Sequence, residues 1–356
     1  MKAVILAGGK ATRLLPLTSR IPKAMVPVLN TPFIEHVIGH LSRHGIKDIV
    51  LAQGHLARSL EEYLGDGRRL GVRLSYATED TPLGTAGAAK NAARYVDGPC
   101  LVLNGDIFTD LDFTAMVDFH RRNKARVTIA LTPVADPTQY GLIETTAAGR
   151  VTRFLEKPKP DEVTTNMINA GTYVLEPDVL AQIKPGVPVS FEREVFPGLL
   201  SQGQPVYAFS STAYWIDIGT PEKYLQLHRD LLSNKASQSI EKATVNDNSI
   251  HPTAQIQGPV VIGKNCSLGP RVKLIGPVVL GNGCSVAEDS MIEGCVVWHN
   301  VRFGPRVQLK DSVVADNCCF MGNNAGENVV LGDNVTVARG VKLESGSRIE
   351  PETTIE

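Results

Sequence analysis

A six-residue period in the C-terminal part of the chain constrains its fold more than any other feature. Aliphatic residues recur every six positions from Ile250 to Ile292 and, after a shift of three positions, from Val301 to Ile355. Such a period is typical of a β-helix solenoid, because each repeat buries its aliphatic residue in one continuous core. We therefore predict a β-helix over residues 249–356.

The N-terminal part of the chain follows a different pattern. Short apolar runs alternate with amphipathic segments up to about residue 232, and the polar stretch 233–248 is typical of a linker. The apolar runs include Ala3–Ala7, Ile49–Ala52, Cys100–Leu103 and Val127–Leu131. This alternation predicts an α/β domain over residues 1–232, with a mostly parallel sheet covered on both faces. Ligands of such sheets bind at the carboxyl ends of the strands.

Composition narrows the possible functions. The chain has 356 residues, 43% hydrophobic residues and a formal net charge of −1. The near-neutral charge argues against a nucleic-acid partner. The sequence has no apolar run of transmembrane length and no evident signal peptide, so we expect a cytoplasmic protein without a membrane partner. No Cys-x-x-Cys pair occurs among the six cysteines, which we expect to be reduced, and Cys266 and Cys284 are spaced to stack in successive coils.

A glycine turn follows the first apolar run. Gly8 and Gly9 come directly after it, and Arg13 and Lys23 follow within fifteen residues. Backbone N–H groups of such a turn can approach a polyanion closely, and the two cations suit phosphate oxygens. The alternative is a surface β-turn with two solvated cations. The motif lacks the Gly-Lys-Ser/Thr of a Walker loop.

Two aspartates follow other apolar runs and could hold a metal. Asp106 comes just after Leu101–Asn104, and Asp217 lies in the apolar segment Tyr214–Ile218 ahead of a predicted helix. Mg²⁺ prefers a pair of carboxylates together with phosphate and water oxygens. The alternative for either residue alone is a helix N-cap or a turn former.

These motifs together resemble the signature of the sugar-1-phosphate nucleotidylyltransferases. The family pattern Gly-Gly-x-Gly-Thr-Arg-Leu-x-Pro-Leu-Thr, followed by Pro-Lys, is matched at residues 8–23. The Asn-Gly-Asp, Tyr-Gly, Glu-Lys-Pro, Asn-Ala-Gly and Trp-x-Asp-x-Gly motifs follow in order. The resemblance implies a Rossmann-like, mixed but mostly parallel sheet of the GT-A-like nucleotidyltransferase type. By a similar resemblance, the C-terminal repeats imply a left-handed parallel β-helix with three hexads in each coil.

The resemblance also implies roles for individual residues. The implied nucleotide-binding residues are Leu6, Ala7, Gly8, Gly9, Lys10, Thr12, Arg13, Lys23, Glu79, Pro82, Gly84 and Thr85. Those implied to bind the sugar phosphate are Asn104, Gly141, Glu156, Lys157, Asn169 and Thr172. Arg13, Lys23 and Asp106 are implied to be catalytic, and Asp106 and Asp217 to bind Mg²⁺.

The chain departs from the family pattern at two positions. Ala11 replaces the third glycine of the turn, and Ala24 replaces the proline after Lys23. Alanine suits the turn only if its φ is negative, since a positive φ would strain it. Ala24 affects local stiffness only, because Pro22 still precedes Lys23.

The choice of substrates depends mainly on Glu79. Relatives that use thymidine or uridine triphosphate commonly have Gln at this position, because an amide can both donate to and accept from a pyrimidine. An ionised carboxylate only accepts, which favours the N1–H and N2–H of guanine. Similarity to the mannose-1-phosphate guanylyltransferases of the family adds mannose 1-phosphate, with GDP-mannose as product. The alternatives are thymidylyl, uridylyl or adenylyl transfer to glucose 1-phosphate, and a Glu79 that points into solvent.

Two further alternatives and one role for the β-helix stay open. Some hexapeptide-repeat proteins are acyltransferases with a histidine base, for which His251 and His299 are the candidates. A non-catalytic subunit that senses a nucleotide sugar is another possibility. The β-helix itself is expected to support a homo-oligomer.

Overall fold

The computed structural model describes residues 1–9, 11–54, 56–236 and 247–356. Lys10, which is one of the predicted nucleotide-binding residues, lies outside the described residues, as does most of the predicted linker, at 237–246. No helix in the described ranges is long and apolar enough to cross a membrane.

Strands and helices alternate through the N-terminal part, as the apolar pattern predicts. The strands are β1 (Lys2–Leu6), β2 (Pro27–Val28), β3 (Thr31–Pro32), β4 (Asp48–Gln53), β5 (Arg73–Thr78), β6 (Cys100–Asn104), β7 (Ile107–Thr109), β8 (Val127–Pro133), β9 (Gly141–Thr145), β10 (Val151–Glu156), β11 (Met167–Leu175), β12 (Val206–Ser210) and β13 (Trp215–Asp217). The helices are α1 (Phe33–Arg43), α2 (Ala57–Leu64), α3 (Gly84–Ala92), α4 (Phe113–Arg122), α5 (Pro177–Ala181), α6 (Phe196–Ser201) and α7 (Pro221–Leu232).

A nine-stranded mixed sheet organises these elements. Its order is β10-β9-β11-β6-β1-β4-β5, with β8 paired to β11 and β12 paired to β8. The strands β6, β1, β4 and β5 are parallel, whereas β11 runs antiparallel to β6. Leu6 pairs with Asn104, so β1 and β6 end side by side. The predicted Rossmann-like mixed sheet is confirmed.

The C-terminal part forms three parallel sheets of short strands, which is the architecture of a β-helix. The strands are β14 (Ser249–Ile250), β15 (Gln255–Gln257), β16 (Val260–Ile262), β17 (Ser267–Leu268), β18 (Lys273–Ile275), β19 (Val278–Leu280), β20 (Ser285–Val286), β21 (Met291–Glu293), β22 (Val296–Val297), β23 (Arg302–Phe303), β24 (Gln308–Lys310), β25 (Val313–Val314), β26 (Cys319–Phe320), β27 (Ala325–Glu327), β28 (Val330–Leu331), β29 (Thr336–Val337), β30 (Arg348–Ile349) and β31 (Thr354–Ile355). Three successive strands make one coil, as predicted from the hexads. The left hand of the helix stays a prediction.

The predicted register of the repeats is wrong between residues 297 and 326. The structure has no single shift of three positions there. Instead, three corners are each one residue shorter, so that the repeat advances by only five positions from Ile292 to Val297, from Leu309 to Val314 and from Gly326 to Leu331. At these corners one residue with positive φ replaces the longer Gly-Pro corners of the first two coils, at 258–259 and 276–277. The positions aligned with the earlier ladders are Val297, Phe303, Leu309, Val314 and Phe320.

The chain divides into two compact units. The first consists of Met1–Lys10 and Ile34–Asp217, and the second of Ala11–Phe33 and Ile218–Glu356. The segment Ala11–Phe33 and helix α7 therefore group with the β-helix. The domain boundaries at 232 and 249 stay a prediction.

Candidate active site

The glycine turn begins where β1 ends. This is the edge of the sheet at which the parallel strands have their carboxyl ends. The N–H of Ala7 donates to the carbonyl of Ala52 (2.7 Å), and the N–H of Gly105 donates to the carbonyl of Leu6 (2.9 Å). A Cβ at Gly105 would lie 2.6 Å from the Leu6 oxygen, so only glycine fits there. These bonds hold the segment before Gly8 and Gly9 directly beside the segment that leads into Asp106.

The two predicted metal ligands are brought together by a small antiparallel ribbon. Strand β13 pairs with β7 so that Asp217 lies opposite Ile107, the residue after Asp106. Asp217 is 9% exposed and Asp106 is half-buried. The hydroxyl of Tyr140 donates to Oδ1 of Asp217 (3.3 Å). Two carboxylates at neighbouring positions form the kind of donor set that Mg²⁺ takes up.

A further polar group lies in the same region. Oδ1 of Asn104 is buried and has no hydrogen-bond partner among the described residues. A Cβ added to Gly171 would lie 2.6 Å from Nδ2 of Asn104, so the side chain lies against the backbone of β11. A buried acceptor without a partner is costly unless a ligand or water satisfies it. The donor set therefore fits a bound substrate or hydrated cation, although the described residues contain no cluster of three or more metal-ligating side chains.

Glu79 points towards the glycine turn and not into solvent. It is half-buried, and its Oε2 accepts the N–H of Leu83 (3.1 Å). Its Oε1 lies so close to Gly8 that a Cβ there would clash with it. Burial raises the pKa of Glu79, and the hydrogen bond from Leu83 opposes that shift. The carboxylate is therefore only partly exposed, and its role in binding the base stays a prediction.

The loop that contains Pro82 and Gly84 leads into helix α3 and is fixed by Val189. The N–H of Val189 donates to the carbonyl of Leu83 (2.9 Å), and its own carbonyl accepts the N–H of Ala86 (2.9 Å). Gly84 has a φ of 69°, and a Cβ there would lie 2.7 Å from the Val189 oxygen. The backbone of this loop therefore has one well-defined course past Glu79.

The residues predicted to bind the sugar phosphate lie on β6, β9, β10 and β11, except Lys157, which directly follows β10. Gly141 pairs with Glu156, and Thr172 pairs with the residue before Asn104. The N–H of Lys157 donates to the carbonyl of Tyr140 (3.0 Å). Burial, and then the negative charge of Glu192, raise the pKa of Glu156. Thr172 is only 1% exposed, so its role in binding stays a prediction.

Glu192 is a residue whose role the sequence did not indicate. Its Oε2 accepts the hydroxyls of Thr85 (2.8 Å) and Ser190 (2.7 Å), and its Oε1 accepts the hydroxyl of Tyr173 (3.1 Å). Nδ2 of Asn169 donates to that same tyrosine oxygen (2.9 Å). Glu192 thus connects a predicted nucleotide-binding residue with a predicted sugar-binding one. The sequence around it, Ser-Phe-Glu-Arg-Glu-Val-Phe-Pro at residues 190–197, gives no direction for the side chain.

Thr12, Arg13 and Lys23 belong to the second unit. Thr12 and Arg13 are exposed in a single helical turn, Thr12–Leu14, whereas Lys23 is half-buried at the start of the turn Lys23–Met25. Ala11 precedes the first turn with a φ of 49°. An unstrained alanine needs a negative φ, and Ala11 has a positive one. The backbone of the turn is therefore strained at this residue.

The comparisons with known proteins agree with this geometry. A family model described as nucleotidyl transferase matches residues 2–234, and a model described as the GMPPB C-terminal domain matches residues 240–356. The chain belongs to the nucleotidyl transferase family and is a nucleotidyltransferase enzyme.

Several named relatives narrow the comparison further. A mannose-1-phosphate guanylyltransferase of Mycobacterium tuberculosis is 38% identical over 75% of this chain and 76% of its own length. A mannose-1-phosphate guanyltransferase of Aspergillus fumigatus is 36% identical over 98% of this chain and 95% of its own. The crystal structure of HddC from Yersinia pseudotuberculosis in complex with GMP-PN is 30% identical, with a TM-score of 0.55, and covers 64% of this chain and 97% of that one. A UTP–glucose-1-phosphate uridylyltransferase of Synechocystis is 35% identical over 74% of both chains.

Proposed function

We propose that the protein transfers a guanylyl group from GTP to mannose 1-phosphate and forms GDP-mannose and pyrophosphate. The observation that supports the proposal most is the pairing of β7 with β13, in which Asp217 lies opposite the residue after Asp106. The hydrogen bond from Gly105 to Leu6 supports it further, because it joins the segment before Asp106 to the end of β1. An oxygen of the sugar phosphate attacks the α-phosphorus, and the bond to the bridging oxygen of the β-phosphate breaks. Pyrophosphate leaves with that electron pair.

The chain's own residues bind and orient the two substrates in this proposal. Backbone N–H groups of Gly8 and Gly9 contact the triphosphate, Arg13 steadies the leaving pyrophosphate, and Lys23 and Lys157 hold the two phosphates. Asp106 and Asp217 would hold a magnesium ion, which would offset the charge of the phosphates. The attacking phosphate is already an anion at neutral pH, so the reaction requires no general base.

Guanine is favoured by Glu79 and by the named relatives. The half-buried carboxylate faces the glycine turn and can accept hydrogen bonds from N1–H and N2–H of guanine, whereas a pyrimidine carbonyl would face it with like charge. The guanylyltransferase names and the GMP-PN complex support the same base. The uridylyltransferase relative is the reason to test UTP directly.

Pyrophosphate release from four nucleoside triphosphates, each with mannose 1-phosphate or glucose 1-phosphate, tests the proposal. We expect the highest kcat/KM with GTP and mannose 1-phosphate, and its loss by at least about 100-fold in Asp106→Asn. Asp118→Asn, on the exposed side of α4, is the matched control and should keep wild-type activity. Equal turnover with UTP or TTP would contradict the choice of base, and an active Asp106→Asn variant would contradict the role of Asp106. A wild-type protein that releases no pyrophosphate from any substrate pair would favour the nucleotide-sugar sensor.

The surroundings of His299 in the β-helix do not support the acyltransferase alternative. Nδ1 of His299 accepts the N–H of Asn282 (2.9 Å), and the His299 backbone N–H donates to Asp316 (2.7 Å). A ring nitrogen engaged by the backbone is not available as a base.

The exposure of Ile250 and Ile256, each 44% exposed, supports the expected homo-oligomer. Light scattering of the full-length chain measures the oligomeric state.

A further inference from the structure

The segment Ala11–Phe33 carries Arg13 and Lys23, and it is bonded along its length to helix α7 and to the β-helix. The N–H of Leu29 donates to Nε2 of His228 (3.2 Å), and Nδ2 of Asn30 donates to the carbonyl of Leu280 (2.8 Å) in β19. Leu29 and Asn30, which supply these two donors, form the two-residue turn between β2 and β3.

A buried chain of hydrogen bonds holds the same turn from its other side. The hydroxyl of Tyr224 donates to the carbonyl of Pro27 and accepts the indole N–H of Trp298 (3.1 Å). Tyr224 has no exposed surface and Trp298 is 2% exposed. The β-helix therefore contributes core contacts to this segment as well as surface contacts.

The last coils of the β-helix contact the beginning of the segment. Nη1 of Arg348, in β30, donates to the backbone carbonyl of Arg13 (3.1 Å), and its Nη2 lies 3.4 Å from Oε1 of Glu222. Arg20 forms an ion pair with Glu352 (2.5 Å) near the end of the chain. The guanidinium of Arg348 is planar with donors in a fixed fork, so it sets the distance between the Arg13 carbonyl and the first turn of α7.

We propose that Arg348 is a positioning residue for Arg13. By holding the Arg13 carbonyl, it fixes the backbone of the residue to which the proposed function assigns the pyrophosphate. This proposal rests on the proposed function in one respect only, which is the role of Arg13 in binding the nucleotide. The final coils of the β-helix then take part in nucleotide binding, in addition to any role in assembly.

Steady-state kinetics of the full-length variant Arg348→Ala test this inference. We expect kcat/KM for GTP to fall about tenfold, the effect of losing a charged hydrogen bond, mainly through a higher KM for GTP. The KM for mannose 1-phosphate should stay unchanged. The melting temperature should shift by no more than about 4 °C, because the contacts are exposed. Arg348→Lys should behave like the alanine variant, since one ammonium cannot bridge both acceptors.

Arg339→Ala is the matched control, because Arg339 is an exposed arginine of the same final coils. It should keep wild-type kinetics. A merely structural role for Arg348 would lower the active fraction and leave both KM values alone. A wild-type KM for GTP in Arg348→Ala would overturn the proposal.

A charge exchange tests the second contact at this end of the segment. Arg20→Glu and Glu352→Arg should each raise the KM for GTP, and the double variant should restore it by re-forming the pair with opposite polarity. No change in either single variant would overturn tethering at this end. If the wild-type protein proves to prefer another nucleotide, the choice of GTP fails, and the same KM measured with that nucleotide tests Arg348 independently.

Discussion

Ala11 is a residue in a conformation that alanine disfavours. Its φ of 49° is left-handed, and its carbonyl accepts the N–H of Leu14 (3.0 Å) and the hydroxyl of Thr18 (3.1 Å). An L-residue in this region raises the free energy of the folded state by about 1–2 kcal/mol. Glycine removes that strain, but it also increases the entropy of the unfolded chain, which offsets part of the gain. We expect Ala11→Gly to raise the free energy of unfolding by roughly 0.5–1 kcal/mol. Urea denaturation measures the change.

Ala115→Gly, in the first turn of helix α4, gives the opposite sign as a control. Glycine there should lower the free energy of unfolding by about 1 kcal/mol. If both substitutions destabilise the protein alike, the strain at Ala11 is compensated by its neighbours and the prediction is wrong.

His40 makes stability depend on pH. Burial lowers the pKa of His40 to about 4, and its Nε2 lies 2.9 Å from the carbonyl of Leu111. The unfolded chain takes up a proton near pH 6.5, whereas the folded chain does so only near pH 4. Stability from this group is therefore fully present above about pH 6.5 and is lost as the pH falls towards 4. The loss amounts to about 3 kcal/mol at the acid end.

Urea denaturation between pH 7 and pH 4.5 measures this dependence. His40→Gln removes the titrating ring and retains an N–H for the Leu111 carbonyl, so its stability should vary less steeply with pH. Burial lowers the pKa of His120 as well, so some slope should remain in the variant. Identical slopes in the two proteins would exclude His40 as the source.

Among the elements, those with strong apolar patterns were predictable and the shortest ones were not. Strands β1, β4, β6 and β8 coincide with the predicted apolar runs, because buried parallel strands need continuous hydrophobic residues. The β7–β13 ribbon has strands of three residues each, too short to form a pattern. The proximity of Asp106 and Asp217 depends on that ribbon, so the sequence supplied the two residues but not their pairing.

The corners of the β-helix show the same limit. The six-residue period identified the architecture, yet a corner shortened by one residue changes the register without changing the composition. Gly294, Asp311 and Asn328 all have positive φ at these corners. Asparagine and aspartate adopt that conformation more readily than other non-glycine residues, but they are also common in ordinary turns. Their role was therefore visible only once the strands were paired.

Glu192 joins the start of helix α3 to strand β11, and a neutral side chain should weaken this connection. In the wild-type protein, hydroxyl groups donate to both oxygens of the carboxylate. In Glu192→Gln, an amide N–H would replace one of these acceptors and face a hydroxyl donor. We expect the free energy of unfolding to fall by about 1–2 kcal/mol and kcat/KM to fall for both substrates. Denaturation and steady-state assays test this together. Glu194→Gln, at an exposed position of the same turn, should change neither.

At the scale of the whole molecule, the division of the chain was the least predictable feature. The apolar pattern places the segment Ala11–Phe33 in the N-terminal α/β part, yet it groups with the β-helix. The bonds responsible are distant in sequence: Tyr224 and Pro27 are 197 residues apart, and Arg348 and Arg13 are 335 apart. No local period can predict such pairs, because each partner alone is an ordinary tyrosine, proline or arginine.

Tyr224 is the centre of these contacts, so removing its hydroxyl should weaken the second unit. Tyr224→Phe would leave the indole N–H of Trp298 and the carbonyl of Pro27 buried without a partner. We expect a loss of about 2–4 kcal/mol, from about 1–3 kcal/mol for each unsatisfied group. Tryptophan fluorescence during denaturation reports on the transition. Tyr207→Phe, whose ring packs on Phe119, is the control and should change stability by less than about 0.5 kcal/mol.

The shared unit of Ala11–Phe33 and the β-helix has a consequence for recombination between relatives. A hybrid made by exchanging everything after residue 236 would join an arginine-bearing segment from one parent to repeats from another. Residues 13, 20 and 30 would then meet partners that had not evolved with them, and so would Tyr224, which accepts the indole N–H of Trp298. The natural crossover unit is discontinuous, so a functional hybrid should inherit both pieces from one parent.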